Sequence, residues 1–536
     1  MVLLSKRVII TAALPYSNSD LHIGHIASTY LPPDILYRYM KLKGVEAIHI
    51  CASDDFGTPI LISAEKQGKR PEEYVEYWNR RFREDLHSLG IDYDLFDKTS
   101  SKENINLVQS VFLKLHEKGY IYESDVDQFY CEYDKKFLPD RYVKGKCPYC
   151  GAEDQYSDGC EVCGRVLQPG QILFPKCSIC GREPVKKSTR HYFFKLSAFS
   201  ERLRSWLNEN KNLQQDAVRY VINWIQDGLQ DWDITRDIPW GVPIPLEKAE
   251  GKVLYGWFDN HLCYITTALK CAGKLNDEGK EFWNSSTIYH FIGKDIVYHH
   301  YLFLPAVRIG HGDYKLPDFI PVRGHMLLEG KKISKSRNWA ITVRDFLEKY
   351  PPDYLRYYLA RVVSSDQSDC NFDWNDFKEK INNELVANIG NFVYRTLSFA
   401  KRSFGGKVPD PRESEENEME ESFRKAFSYY TQAMESLTFE RAVKSILEFS
   451  DSCNQYFQKK EPWKSPQNNS DTIYFSLNAV KRISLLLYPF LPFTASKIWE
   501  QLGLAGKVDE YRISEVEKPL TPGQTLGEPE ILFQKV

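Results

Sequence analysis

Six cysteines between Cys147 and Cys180 are the densest chemical signal in this chain. Four of them, Cys147, Cys150, Cys160 and Cys163, follow a Cys-x2-Cys-x9-Cys-x2-Cys spacing. Two such knuckles present four thiolates, which is the complete tetrahedral ligand set of a structural Zn²⁺ with no open position. A redox dithiol or a set of unligated cysteines is the alternative. The pattern predicts one structural zinc, which would stabilise a loop-rich segment too small for a core of its own.

A third Cys-x-x-Cys pair, Cys177 and Cys180, is only half of a metal site. It needs two further ligands, for which the sequence offers His191 and Cys131 as weak candidates. A knuckle that holds no metal is the alternative. We therefore expect at least one zinc ion, at one well-formed site. Whether Cys177 and Cys180 bind a second ion is left undecided by the sequence.

His22-Ile23-Gly24-His25 lies where a predicted strand gives way to a predicted helix. The first turn of a helix offers unpaired N–H groups and a partial positive charge, which favour phosphate oxygens. Two imidazoles add donors there, and Gly24 lets a purine or ribose approach the backbone. A pair of ordinary histidines at a helix start is the alternative for so short a string.

A second polar motif, Lys332-Ile333-Ser334-Lys335-Ser336, lies much later in the chain, flanked by Lys331 and Arg337. A loop with this density of cations and hydroxyls suits a developing pyrophosphate, whose charge must be neutralised in the transition state. A solvated surface turn is the alternative. If the two motifs act together, they must meet around one nucleotide triphosphate at the rim of a sheet.

The elements around the first motif are typical of a parallel nucleotide-binding sheet. Residues 6–14 form a short β-branched run, and Ala47–Cys51 forms a second one. A helix that extends to about Leu42, interrupted at Pro32 and Pro33, connects them. This strand–helix–strand unit predicts an α/β fold with a Rossmann-like parallel sheet.

Later patterns extend this sheet and add a helical region. Strand patterns return at 252–257, 287–292 and 319–324, and amphipathic segments at 377–404 and 439–457 predict an α-helical C-terminal domain. The boundaries that we expect are 1–115 for the first half of a Rossmann-like catalytic domain, 116–240 for a connective insertion with the zinc knob at about 145–182, 241–325 for the second half of the catalytic domain, 326–375 for a linking region with the Lys-Ile-Ser-Lys-Ser loop, and 376–536 for the α-helical domain.

Composition and charge narrow the class of protein. The 536 residues carry 70 Lys and Arg against 73 Asp and Glu, which gives a net charge of −3. This balance argues against a surface that is wholly a polyanion clamp but permits one basic face. No apolar run reaches the about 18 residues of a membrane span, and Lys6 and Arg7 interrupt the N-terminal apolar stretch. Together with the scattered remaining cysteines, these features predict a cytoplasmic protein.

In this order, the two polar motifs resemble the signature pair of the class I aminoacyl-tRNA synthetases. The wider sequence is most similar to the methionyl-tRNA synthetases: Ala13-Leu14-Pro15-Tyr16 precedes the histidines as in that family. Residues 224–245 resemble that family's junction into the second half of its sheet, and residues 290–298 are similar too. So is the helical tail with Asn391, Arg395 and Trp463, so the resemblance covers nearly the whole chain.

This resemblance implies a fold, an activity and a set of partners. The fold would be a parallel Rossmann-like sheet split by a zinc-knob connective insertion and followed by an α-helical bundle that binds the anticodon. The activity would be that of a methionine–tRNA ligase, which activates methionine with ATP to methionyl-adenylate and transfers it to the 3′ end of tRNA(Met). The partners would be L-methionine, ATP with Mg²⁺, and tRNA(Met), without a membrane. The family carries one or two structural Zn²⁺ ions in the knob.

The resemblance also implies roles for single residues. The catalytic residues would be His22, His25, Lys332 and Lys335, and these would bind ATP together with Gly24 and Ser334. An apolar and aromatic pocket with one carboxylate for the ammonium group would bind methionine through Leu14, Tyr16, Asp54, Trp257, Tyr264, Ile296 and His300. The anticodon would be read by Asn391, Arg395 and Trp463. Without the resemblance, the aromatic residues would be assigned to the core, Asp54 to a helix N-cap, and Asn391 with Arg395 to an ordinary polar face.

One segment departs from the family pattern Trp-x-Asp-Ala-Pro-x-Gly-Tyr. The tryptophan and tyrosine keep their spacing as Trp257 and Tyr264, but Asn260, His261 and Cys263 replace the usual Ala, Pro and Gly. The wall of the amino-acid pocket must therefore differ in size and polarity. This difference bears on affinity and on the selectivity between methionine analogues.

Two other functions are compatible with parts of the pattern. One is a class I synthetase for leucine, isoleucine, valine or cysteine, although the zinc knob occupies the insertion where the leucine, isoleucine and valine enzymes carry an editing domain. The other is an inactive RNA-binding relative, against which the intact His22, His25, Lys332 and Lys335 argue. The chain ends at Val536 soon after the helical domain, so we expect a monomer or a protein with a separately encoded tRNA-binding partner.

Overall fold

A five-stranded sheet forms the centre of the molecule. The computed structural model describes residues 7–157, 160, 162–163, 167, 170–334, 338–411, 418–465 and 469–536. All neighbouring strands of this sheet are parallel. Arg7–Ala12 lies in the middle, between Thr287–Gly293 and Glu46–Ser53, and the edges are Val322–Arg323 and Leu95–Lys98.

Alternation along the central strand explains why this sheet is buried on both faces. Val8 and Ile10 belong to the hydrophobic core on one face, and Ile9 belongs to the core on the other. Successive side chains of a strand point to opposite faces, so an unbroken β-branched run fills both cores. The predicted strand at 287–292 is present, as Thr287–Gly293.

The segment after the first motif is one continuous helix. It runs as Ile23–His25, then as a π-helical stretch Ile26–Tyr30, and then as Leu31–Leu42. The interruption expected at Pro32 and Pro33 is a change of winding rather than a gap. Both prolines lie in the first turn of the last stretch, where a missing N–H is tolerated.

A long antiparallel hairpin carries the knob away from the sheet. Its two strands are Ile121–Cys131 and Val185–Phe194. Short strands lie between them, at Lys136–Phe137, Val143–Lys146, Gln155–Tyr156 and Leu173–Cys177. The remaining helices of this half of the chain are Thr58–Lys66, Pro71–Ser88, Lys102–Glu117, Ser200–Glu209 and Gln215–Asp227.

The return to the central sheet differs from the predicted strands in two places. The expected strand at 252–257 is only Val253–Leu254, because the helix Gly256–Cys271 begins at once and carries Asp259 in its first turn, where an acidic side chain is favoured. The expected strand at 319–324 is reduced to Val322–Arg323, since Pro321 cannot donate to a ladder. Further short elements complete this region: Trp232–Asp233, Thr235–Arg236, Val242–Pro243, Glu278–Ser285, His299–Phe303 and Leu304–His311.

A small sheet and a helical bundle follow. The sheet consists of Met326–Leu328, Lys331–Lys332 and Cys370–Phe372, with the helices Val343–Leu347 and Pro352–Val362 between its strands. The bundle helices are Trp374–Lys380, a π-helical stretch Ile381–Gly390, Asn391–Ser403, Glu418–Glu435, Phe439–Lys460, Ser470–Leu487 and Pro492–Gln501. The helices Asn391–Ser403, Glu418–Glu435 and Phe439–Lys460 bury one face each, as the amphipathic pattern predicts, whereas Ser470–Leu487 is buried on nearly all sides.

The bundle and the sheet share one hydrophobic core, and a buried ion pair crosses their boundary. Arg356 donates to Asp34 at 2.6 Å and to the carbonyl oxygen of Phe490 at 2.8 Å. Asp34 lies on the helix that begins at the first motif, so that helix is fixed to the bundle. The domain boundaries given above stay predictions. Among the described residues, we find no helix of the length and apolarity that a membrane crossing requires.

Candidate active site and metal-binding knob

Both polar motifs line one cavity of about 630 Å³. Its walls include the segments that follow the carboxyl ends of three parallel strands, at 13–16, 54–59 and 293–296. This rim is where open parallel sheets bind ligands. His22, Gly24 and His25 line the cavity, and so do Lys332 and Ile333. The two motifs therefore share a cleft.

The two histidines of the first motif are fixed by the helix start. Nδ1 of His22 accepts from the N–H of Gly24 at 3.1 Å, and Nδ1 of His25 accepts from the N–H of His22 at 3.3 Å. The two rings stack with their centroids 3.6 Å apart. Because both Nδ1 atoms accept, a neutral ring carries its proton on Nε2, which is a donor of the kind that phosphate oxygens need.

The lysine loop approaches the first motif at its glycine. A Cβ on Gly24 would lie 3.2 Å from Cδ1 of Ile333 and 3.0 Å from Cε1 of His22, so a larger residue would push the loop away. Ser334 pairs its backbone with Trp339 and is not among the described residues that line the cavity. The predicted Lys335 lies outside the described residues.

The seven residues expected to bind methionine all line the same cavity: Leu14, Tyr16, Asp54, Trp257, Tyr264, Ile296 and His300. Nδ1 of His300 lies 3.1 Å from the carbonyl oxygen of Ile296, which can only accept, so the ring carries its proton on Nδ1. Tyr264 then donates to Nε2 of His300 at 3.0 Å. Burial, helped by the charge of Arg308, lowers the pKa of His300 to about 4, so its ring is neutral at neutral pH.

Asp54 is the carboxylate of this pocket. Its Oδ1 is buried and has no hydrogen-bond partner in the structure, while its Oδ2 accepts from Asn260 at 2.9 Å. Burial raises the pKa of Asp54, the bond from Asn260 works against that rise, and the charge of Asp55 adds to it. Asp55 itself accepts from Ser17 and Ser100 and has a structural role. An ammonium group at Oδ1 would stabilise the ionised form of Asp54.

Gly293, Asp295 and Arg141 are among the further residues that line the cavity and that the sequence did not single out. Gly293 and Asp295 lie in the segment 290–298 that carries part of the resemblance, so a signal for them was present. A Cβ on Gly293 would lie 2.6 Å from Oδ1 of Asp295. Arg141 comes from the insertion, and no pattern in the sequence connects it with the cleft.

The four cysteines of the predicted zinc site come together in the knob. The Sγ atoms of Cys147, Cys150, Cys160 and Cys163 all lie within 4.8 Å of one another. Two of the separations are 3.5 Å and 3.9 Å. Thiolates at about 2.3 Å from a tetrahedral Zn²⁺ stand about 3.8 Å apart. The donor set therefore fits a structural zinc without rearrangement of the backbone.

A second donor set includes a ligand that the sequence reasoning missed. Cys131, Asp134, Cys177 and Cys180 also lie within 4.8 Å of one another. Oδ2 of Asp134 lies 3.0 Å from Sγ of Cys131 and 3.2 Å from Sγ of Cys177. Asp134 follows Cys131 by the same spacing as in a Cys-x-x-Cys pair, and that Cys-x-x-Asp pattern was the available signal. Three thiolates and a carboxylate are a plausible zinc set.

His191, the other candidate for the second site, lies elsewhere. Its ring contacts Asp233 at 2.7 Å through Nδ1 and Asp237 at 2.9 Å through Nε2. Burial opposes a charge on His191, but the bonds to the two carboxylates prevail and raise its pKa. His191 therefore belongs to an ion-pair network that joins the hairpin to the segment 233–237, and the suggestion that it is a metal ligand is wrong.

The three residues expected at the anticodon meet around the helix Phe439–Lys460. Arg395 donates to both the carbonyl and the side-chain oxygen of Asn454 at 3.3 Å, and Asn391 donates to the same side chain at 3.5 Å. The guanidinium of Arg395 lies over the ring of Phe457. Trp463 is 44% exposed, with its ring 6.5 Å from that of Phe457. An exposed indole beside two polar side chains can stack on a base and read its edge.

Two family models match this chain. Residues 8–397 match the tRNA synthetases class I (M), and residues 416–531 match the anticodon-binding domain of tRNA ligase. The matches cover the parallel sheet with its cleft and the helical bundle. Together with that geometry, they define a class I tRNA synthetase with an attached anticodon-binding domain.

Individual relatives narrow the family further. Methionine–tRNA ligase of Methanopyrus kandleri is 44% identical over 99% of this chain and 80% of its own length. The ligases of Methanocaldococcus jannaschii and Pyrococcus abyssi are each 41% identical over 99% of this chain, and cover 79% and 76% of their own lengths. The chain belongs to the methionyl-tRNA synthetase family.

A solved structure has the same fold. Mycobacterium tuberculosis methionyl-tRNA synthetase bound by methionyl-adenylate superposes with a TM-score of 0.81 at 22% identity, over 98% of this chain and 100% of that one. The predicted α/β fold with a knob insertion and a helical bundle is confirmed.

Proposed function

We propose that this chain is a methionine–tRNA ligase that forms methionyl-adenylate from methionine and ATP and transfers the methionyl group to tRNA(Met). The observation that carries the proposal is the single cleft. It is lined by the imidazole pair and the start of the lysine loop, here called the nucleotide end, and by an aromatic pocket with Asp54, here called the amino-acid end. Both substrates of an adenylation would therefore bind in one cavity.

The amino-acid end orients methionine. Oδ1 of Asp54 is the place for the ammonium group, since it is buried and otherwise unsatisfied. The side chain would lie among Trp257, Tyr264 and His300, which offer aromatic faces and one neutral imidazole for a polarizable thioether. This orientation points the carboxylate towards the nucleotide end of the cleft.

The nucleotide end stabilises charge. His22 and His25 would donate to the phosphates of ATP, and Gly24 leaves room for the nucleoside beside the helix start. Lys332 and Ser334 would order the loop, and Lys335 would neutralise the pyrophosphate as it leaves. Mg²⁺, which enters with ATP, adds further neutralisation of the phosphates. The methionine carboxylate attacks the α-phosphorus directly, so the enzyme supplies position and charge and no nucleophile.

The metal content that we propose is two structural Zn²⁺ ions. Cys147, Cys150, Cys160 and Cys163 would hold one, and the three cysteines with Asp134 would hold the other. Each set has four donors and no open position, so the metals would supply folding energy and no catalysis. The sequence predicted one well-formed zinc site. The proposal adds a second zinc site, because the structure supplies Asp134 as its fourth ligand.

For the tRNA, we propose that the bundle reads the anticodon with Asn391, Arg395 and Trp463. Their common position around Phe457 and Asn454 supports this role. We also keep the cytoplasmic location as a prediction from the sequence.

Amino-acid-dependent exchange of pyrophosphate into ATP tests the proposed activity. We expect exchange with methionine and none above background with leucine, isoleucine, valine or cysteine. Exchange with one of those amino acids instead would make the chain a synthetase of another specificity. No exchange with any amino acid, from a folded and zinc-loaded protein, would leave only an RNA-binding role.

Charging of tRNA(Met) tests the role of the bundle separately. Loss of a base-stacking contact removes about 1–3 kcal/mol, so Trp463→Ala should lower kcat/KM for tRNA about tenfold to hundredfold. Exchange without tRNA should not change, because Trp463 lies in the bundle and not in the cleft. Tyr429→Ala, which removes another exposed aromatic ring from the bundle, is the matched control. Equal losses of kcat/KM for tRNA in the two variants would show that Trp463 does not contact the anticodon.

A further inference from the structure

Asn260 stands on the wall of the cleft where the family pattern has an alanine. It belongs to the helix Gly256–Cys271, is 3% exposed, and lines the cavity next to Trp257. Its Nδ2 donates to Oδ2 of Asp54 at 2.9 Å. The bond therefore joins Asn260 to Asp54, the carboxylate that we expect to receive the ammonium group of the substrate.

Asp54 lies among acidic and phenolic groups. Asp259 is on the same helix as Asn260, is fully buried, and has no partner for either carboxylate oxygen in the structure. Asp55 follows Asp54 in the chain, and its carboxylate accepts hydrogen bonds from Ser17 and Ser100. Three phenols also interact with this group of residues: Tyr16 and Tyr264 face Asp54, and Tyr255 faces Tyr16.

The nearest cationic side chains do not contact Asp54. Arg141, from the knob, lies at Tyr16, and Lys98 faces Asp55. The charge of Asp259, whose oxygens have no partner in the structure, opposes a second charge on Asp54, because like charges in a buried site repel each other. A protonated Asp54 would not hold an ammonium group. A hydrogen bond that favours the ionised form of Asp54 therefore favours binding of the substrate.

We propose that Asn260 is a positioning residue for the α-ammonium group of the amino acid: it holds Oδ2 of Asp54, favours the ionised form of that carboxylate, and turns Oδ1 to the substrate. The inference rests on the function proposed above and adds a residue to it. An amide N–H bonded to a carboxylate stabilises the charged form and fixes its rotation, and neither is supplied by an alanine. Asn260 and Asp54 then act as one unit in the first step of the reaction.

A space-filling role for Asn260 is the competing explanation, and two substitutions separate the two. Asn260→Ala removes both the amide and its volume, whereas Asn260→Leu removes the amide and keeps the volume. Cys271→Ala is the matched control, since Cys271 lies at the end of the same helix and is not among the described residues that line the cavity. Thermal unfolding of each variant first establishes that the helix and the sheet remain folded.

The measurement is methionine-dependent exchange between about pH 6 and about pH 9. Both Asn260 variants should raise KM for methionine about tenfold at neutral pH, which is the worth of one hydrogen bond to a charge. The acid limb of kcat/KM should move up by about one pH unit, because loss of the bond raises the pKa of Asp54. The change in kcat at saturating methionine should stay within about twofold, since the bond serves binding.

A ligand without an ammonium group gives a second readout. The inhibition constant of 4-(methylthio)butanoate, which keeps the thioether and carboxylate of methionine, should not weaken in either Asn260 variant. Wild-type behaviour of Asn260→Leu beside a defective Asn260→Ala would assign Asn260 a space-filling role. An unmoved acid limb, or equal weakening of the ammonium-free ligand, would overturn the proposal too. Absence of methionine-dependent exchange in the wild type would instead reject the proposed function itself.

Discussion

The cleft and the knob each hold a few polar side chains in place, but different interactions hold them. The cleft residues follow strands whose side chains are buried in extensive cores on both faces of the sheet. Among the described residues, the knob and the end of the hairpin that carries it share a core of eight buried residues: Phe129, Cys131, Leu138, Tyr142, Val143, Leu167, Ile172 and Cys177. Two of those are themselves members of the second donor set. Burial positions the cleft, and ligation must position the knob.

The sharpest way to break this comparison is to remove the four-thiolate metal. Binding of structural zinc is worth on the order of 10 kcal/mol, so Cys147→Ser should unfold the segment around the four cysteines while the parallel sheet remains folded. Zinc content should fall by one ion per chain, because the second donor set uses other residues, and hydrogen exchange should accelerate between residues 147 and 163 and not in the sheet. Cys271→Ser, at a half-buried cysteine outside the knob, is the control. Loss of one zinc ion from Cys147→Ser without faster exchange around the four cysteines would show that the core of the knob holds this segment without the metal.

The corresponding test of the cleft removes charge without touching the fold. Lys335→Ala should lower the rate of adenylation by about 100-fold to 1000-fold, the range for one transition-state donor. Methionine affinity should change by less than about twofold, because the lysine acts only when pyrophosphate leaves. Lys331→Ala is the control, since Lys331 is exposed and stacks 5.2 Å from the ring centroid of Trp339. Equal losses of rate and of affinity would contradict a transition-state role.

The second donor set sharpens the comparison inside the knob. Asp134→Ala leaves three thiolates, and the affinity for the second zinc should fall by more than about a hundredfold, since even a lost outer-shell partner costs 10-fold to 100-fold. Dialysis against a chelator should then remove one ion per chain and leave the other. Asp134→Cys should restore retention of the second ion. Loss of both ions from Asp134→Ala would mean that the two sites do not form independently.

The smallest expected effect concerns the ion pairs of His191 with Asp233 and Asp237, which join the hairpin to the segment 233–237. The folded pKa of His191 is raised by Asp233 and Asp237, so its stabilising contribution is fully present below its unfolded pKa of about 6.5 and is lost as pH rises through the folded value. His191→Gln should therefore lower the free energy of unfolding by about 2 kcal/mol at low pH and by less at high pH. Lys252 and Arg236 face the same carboxylates and stay in place.

Denaturant unfolding at several pH values measures that difference. His87→Gln is the control, because His87 pairs with Asp92 at a surface where both side chains are more than half exposed. Exposed pairs contribute little, so this variant should show no comparable loss. If the loss of unfolding free energy in His191→Gln increased with pH, a charged His191 could not be its cause.

What the sequence predicts well is local. The β-branched run at Val8–Ile10 and the helix start at His22 are read directly from residue types, because burial on two faces and an N-terminal phosphate site each need those types. The four-cysteine spacing is equally explicit. The residues named for the amino-acid pocket, by contrast, came from the resemblance to the methionyl-tRNA synthetases, because residue types alone would assign the aromatic ones to the core.

What the sequence does not predict is long-range or ambiguous. Asp134 is one of many acidic residues, and only the hairpin brings it to Cys177. The apolar run at 252–257 reads equally well as a strand or as the start of a buried helix. The partner of Arg395 and Asn391 is Asn454, which comes from another helix of the bundle. Such pairings depend on the packing of elements, and no local pattern encodes them.

The measurement that tests the central claim most directly is a double-mutant cycle between His25→Ala and Lys332→Ala in methionine-dependent exchange. If both side chains act on one nucleotide in one cleft, their effects are coupled, and the double variant should be at least about fivefold more active than the product of the single losses predicts. Losses that simply multiply would place the imidazole pair and the lysine loop at separate tasks, and the account of a shared cleft would be wrong.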